Sequence, residues 1–150
     1  WVELTDPSEA SNLLMWVEWE SSEVSQVPDT QCFTVKANDR LKYAFKRLEN
    51  NSMFGHLTVR ILFVQVMNEL ISKCLIYCDT NKEPAEGSLH EKLRPMFKKL
   101  DYSFEDVAHQ MQSSVEMQKL DASALTLKIA QQIAQVGSTL EAIKFGGFRQ

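Results

Sequence analysis

Three cysteines and three histidines are the residues in this chain whose types could hold a metal or carry a covalent step. Cys74 and Cys78 stand four apart within an apolar run. On a helix they would share one face, and with one of His56, His90 or His109 they could supply zinc ligands. Structural zinc sites more often draw cysteines from turns at a spacing of three, and free cysteine is a common core residue. The pair is therefore read as core packing, with no metal and no cofactor expected. Cys32 lies outside the strong helical patterns, but a nucleophile needs a depressed pKa, exposure and a basic partner, and no such signature surrounds it. Phosphate-binding glycine loops, a serine-nucleophile elbow, zinc-protease and calcium-loop patterns are all missing from the sequence. Glu18 and Glu20, two apart, would fall on different faces of a helix. No catalytic residue is expected, and a non-enzymatic role follows.

Charge is the more informative chemistry. Residues 1–35 hold seven acidic residues and no Lys or Arg, and every basic residue follows them. On a helix from about Asn38 or Asp39 to Glu49, Arg40, Lys42, Lys46 and Arg47 occupy an arc of roughly 160° by the 3.6-residue period. Leu41, Ala44, Phe45 and Leu48 occupy a separate arc. Lys36 extends the positive patch from just before the helix. Such a face suits plain solvation, an acidic protein surface (including this chain's own first residues), or nucleic acid or acidic lipid. A pI near 5.4 and a single interleaved ring, Tyr43, argue against nucleic acid. All three tryptophans lie in the acidic part. Trp16 and Trp19 are candidate apolar anchors for a partner, because tryptophan is enriched at binding hot spots.

The elements that must position these residues read as helices. Asp6-Pro7-Ser8-Glu9 is a helix start, and the apolar Leu13–Val17 run continues it to near Ser25. Residues 1–26 thus form an acidic, Trp-rich N-terminal helix, either the first of the fold or a semi-independent segment, and residues 27–150 form the body. Cys32-Phe33-Thr34-Val35 is β-prone but short, and is read as an extended connector. Over residues 57–78 the polar positions other than Arg60 share one arc, on which Ile61, Leu62 and Ile76 intrude. So broad an apolar surface predicts a central helix touched by several neighbours, with a strand over 57–64 as the alternative. Ser88-Leu89-His90-Glu91 is a capping box, and Pro95 predicts a kinked or split helix. Ser103 caps the next helix, with Phe104, Val107 and Met111 inward. A last helix carries Ile129, Ile133, Val136, Leu140 and Ile143 at heptad spacing, ending at Gly146-Gly147. That seam suits packing within the fold, or a homodimer through residues 126–143.

Composition agrees. With 150 residues, 44% apolar, 5 glycines and 4 prolines, a turn-rich all-β fold is disfavoured. The expected fold is all-α, a single-domain bundle of five or six helices. A start at Trp1 is read as a processed or excised piece of a larger protein. An odd cysteine count suits a reducing compartment, cytoplasmic or nuclear. Charged and polar residues within 57–78 exclude a membrane span there. The function expected is a macromolecule-interaction or regulatory domain that binds a protein partner through helix faces. A nucleic-acid-binding domain using the basic face of residues 36–47 is one alternative, and a secreted helical signalling protein is another, hinted at by the Asn50-Asn51-Ser52 sequon.

Overall fold

A computed structural model of the chain describes residues 15–39, 41, 42, 46, 52–113 and 119–134. Its first element is a strand. Residues Met15–Trp19 (β1) alternate, with Val17 buried and Glu18 exposed, the two-residue period of a half-buried strand. A short helix, Asp29–Cys32 (α1), leads directly into a second strand, Phe33–Ala37 (β2). The strands pair antiparallel, with Trp16 opposite Lys36, Val17 opposite Val35 and Trp19 opposite Phe33.

This corrects the all-α expectation. Helices dominate the described residues, but a two-stranded sheet joins them, and residues 15–19 are not helical. The apolar run at 13–17 fits a helix or a strand equally well by itself. What decides is the second β-prone stretch at 33–37, which supplies the ladder that β1 needs. That stretch is therefore a strand and not a connector.

The long helix Ser52–Tyr77 (α2) is the centre of the fold, and the strand alternative for 57–64 falls away. It packs against β1 and against the helices Leu89–Lys99 (α3), Phe104–Ser113 (α4) and Lys119–Ile133 (α5). Ile71, Cys74 and Leu75 are fully buried in one core with Val24, Leu93, Phe97, Phe104 and Ile129. Ala37, Leu41 and Leu62 form a smaller cluster with Met15. Cys74 and Cys78 are core residues, as their apolar setting predicts.

Helix ends follow the local sequence. Ser88 Oγ accepts the Glu91 backbone N–H at 3.2 Å and Ser103 Oγ accepts that of Asp106 at 3.4 Å, so both expected caps form. Pro95 does not split α3, which runs on to Lys99. Pro95 is exposed, while Leu89, His90, Leu93 and Phe97 hold the turns on either side of it in the core. At the C-terminus of α3 the Tyr102 N–H reaches Phe97 O and the Asp101 N–H reaches Lys98 O, a Schellman closure with Asp101 at φ 63°. That left-handed position costs a non-glycine residue about 1 kcal/mol, and an anion there also opposes the helix dipole. Asp101→Gly is expected to raise the unfolding free energy by about 0.5–1 kcal/mol in denaturant titration; a destabilised variant would refute that account.

The end of α2 is closed from a distance. Gln112, on α4, donates from Nε2 to Leu75 O at 2.9 Å and Cys78 O at 3.0 Å, satisfying terminal carbonyls that have no partner within the helix.

The described part of the last helix has Thr126, Ile129 and Ala130 buried, and it packs along α2. Val136, Leu140 and Ile143 lie outside the described residues, as do the Asp6 helix start and the Gly146-Gly147 stop.

Candidate functional site

The pleat of β1 turns Met15, Val17 and Trp19 toward α2 and turns Trp16 and Glu18 away. Trp19 reaches the rim of this face. Its ring lies 5.4 Å from that of Phe33, its register partner, and its Nε1–H donates to Glu69 Oε1 at 3.1 Å. On α2, Glu69, Lys73 and Tyr77 follow at intervals of four and so share one side. The Lys73 ammonium stands 4.4 Å from the Trp19 ring centroid and 5.7 Å from that of Tyr77, a cation held between two π faces. Beside it Ile76 and Tyr77 are 49% and 54% exposed. The second half of α2 and the end of β1 thus make a surface of aromatic and aliphatic side chains around one cation.

The residues singled out from the sequence are dispersed. Lys36 Nζ pairs with Glu18 Oε2 at 2.6 Å on the outer face of the sheet, so one of the acidic N-terminal residues already meets a basic one within the chain. The bond from Lys36, with a smaller contribution from the Trp16 indole, holds the Glu18 carboxyl below its usual range. Trp16 and Trp19 lie on opposite faces of β1 and cannot anchor one partner side by side. Lys42 and Lys46 are exposed. Arg40 and Arg47 lie outside the described residues.

A polar constellation that the sequence reading missed lies inside the fold. Ser25 Oγ and His90 Nδ1 are 2.8 Å apart, and His90 Nε2 is 3.2 Å from Glu105 Oε1. In the neutral imidazole an ionised Glu105 calls for the proton on Nε2, which leaves Nδ1 to accept from the Ser25 hydroxyl, whose oxygen in turn accepts the Asp79 N–H at 3.0 Å. Glu105 Oε1 also receives Arg94 at 2.6 Å, and Arg94 reaches Glu83 at 3.0 Å. Burial pushes the Glu105 carboxyl upward, but its backbone bond, Arg94 and His90 outweigh this and leave it below the ordinary range.

Serine, histidine and glutamate are the residue types of a hydrolytic triad. Here Ser25 and His90 are both buried, and the serine oxygen is already engaged by a backbone N–H. The arrangement fastens the 20–28 loop to the start of α3. The same loops also meet through His90 N–H to Val24 O and Ala85 N–H to Ser25 O. An open groove of about 420 Å³ borders this network, lined by Lys98, Asp101, Tyr102 and Ser103 as well as by Arg94 and Glu105. Arg94 is already committed to its two carboxylates.

Burial raises all three thiols above their usual value: Cys74 strongly, Cys78 to about 11, and Cys32 with help from the charges of Asp29 and Glu23. A buried thiol with a raised pKa is a poor nucleophile. Among the described residues no group of three His, Cys, Asp or Glu is placed to hold a metal ion.

The chain matches no protein-family model, no curated protein and no solved structure.

Proposed function

We propose that this chain is a macromolecule-interaction domain of a larger intracellular protein, and that it holds a protein partner on the face formed by the second half of α2 and the end of β1. The observation that carries the reading is the pair Ile76 and Tyr77, large side chains left about half exposed beside the Trp19–Phe33 ring pair. Exposed aromatic and aliphatic side chains that cluster on a rigid helix are the usual makings of a binding hot spot. Three buried free thiols fit a reducing compartment. Among the described residues no helix is long and apolar enough to cross a membrane. Arg40, Lys42, Lys46 and Arg47 are a second contact zone in this reading, whereas Lys36 is largely occupied by Glu18.

Quantitative affinity capture with the intact chain tests the reading. The double variant Ile76→Ser, Tyr77→Ser is expected to lose the captured proteins by about tenfold or more while keeping its helical circular dichroism. Capture that is unchanged in this variant would refute the proposed face. If Arg40→Glu with Arg47→Glu removes binding instead, the working surface is the basic one.

A further inference from the structure

Resting on that docking face, we propose that its occupant is an acidic segment of a partner protein, with the Lys73 ammonium receiving a carboxylate and Ile76 and Tyr77 taking a neighbouring apolar side chain. Charge complementarity favours this occupant. Three other cations of the fold are matched to carboxylates: Lys36 to Glu18, Lys92 to Asp29, and Arg94 to Glu83 and Glu105. Lys73 is half-buried, yet among the described residues its ammonium stands against two aromatic rings and forms no ion pair with a carboxylate. Glu69, one turn earlier, has an oxygen engaged by the Trp19 indole N–H.

Two rings hold the ammonium in place and remove part of its hydration, so less freedom is lost when an anion arrives. A carboxylate fits better than a nucleic-acid backbone. The site offers one cation next to Glu69, which would repel a run of phosphates, and the chain as a whole carries a net charge of −4. The apolar pair on the next turn asks for a bulky side chain adjacent to the acid.

The probe is a fluorescein-labelled peptide carrying Glu-Leu-Phe triplets in a Gly-Ser frame, with a matched peptide bearing Gln for Glu, read by anisotropy against the full chain. Saturable binding of the acidic peptide is expected. Lys73→Gln should weaken it by about tenfold, the Gln peptide should lose about as much on the unchanged chain, and the two changes together should lose little more, because they remove one shared interaction. Lys73→Arg should keep most of the affinity. Equal binding of the two peptides, an unaffected Lys73→Gln variant, no saturable binding, or tighter binding of a single-stranded oligonucleotide would each overturn the proposal. If Ile76→Ser with Tyr77→Ser abolishes partner capture while Lys73→Gln leaves it intact, the docking face stands and its acidic occupant falls.

Discussion

Replacing His90 by alanine is expected to lower the unfolding free energy by about 3 kcal/mol, a large share of a typical domain's stability. His90 is fully buried, and its ring lies 4.8 Å from that of Phe104, which in turn packs edge-on against Phe97 at 4.9 Å. Removing the ring leaves a cavity in that aromatic stack and takes the acceptor away from the Ser25 hydroxyl. Ser25→Ala attacks the same network from the other end. It strands His90 Nδ1 and the Asp79 N–H, at a cost of about 1–3 kcal/mol. Because both changes break one hydrogen bond, the double variant should fall short of the sum by more than about 0.5 kcal/mol. Denaturant titration of the single and double variants checks this. A His90→Ala midpoint that coincides with the unmodified protein's would show that the network carries no stability.

Deleting residues 1–26 is expected to abolish cooperative folding of the remainder. Val17 and Val24 leave the core, each contributing about 1.5–3 kcal/mol by burial. β2 loses the strand it pairs with, and His90 loses its hydroxyl donor. Together these losses approach the whole stability of an ordinary domain of this size. Thermal unfolding followed by circular dichroism is the measurement. A truncated chain that still melts in one sharp transition would show that the acidic segment is detachable.

The helical body was legible because its signals are local. Ser88 and Ser103 announce their helices within three residues, and the breadth of apolar surface on 57–78 marks a helix with neighbours on many sides. Ile76 reads as one of the apolar residues that intrude on the polar arc and widen the buried surface of α2, whereas the structure leaves it exposed. The sheet was not legible, because its evidence is a pairing between Trp19 and Phe33 and beyond, not a pattern within either stretch. That one misjudged period also misplaced the tryptophans: positions three apart share a side on a helix and face oppositely on a strand. The Ser25–His90–Glu105 chain escaped for a related reason. Its members are 65 and 15 residues apart, and only tertiary folding brings them together.

The amide of Gln112 spans 37 residues to reach Leu75 O. The final turn of α2 is thus finished in part by another helix, alongside the Cys78 N–H on Cys74 O and the Cys78 thiol on Leu75 O. Ile76 and Tyr77 sit in that turn. Their presentation to a visitor is consequently tied to the seating of α4, so an event that unseats α4 would be transmitted to the docking face without any change in the residues that form it.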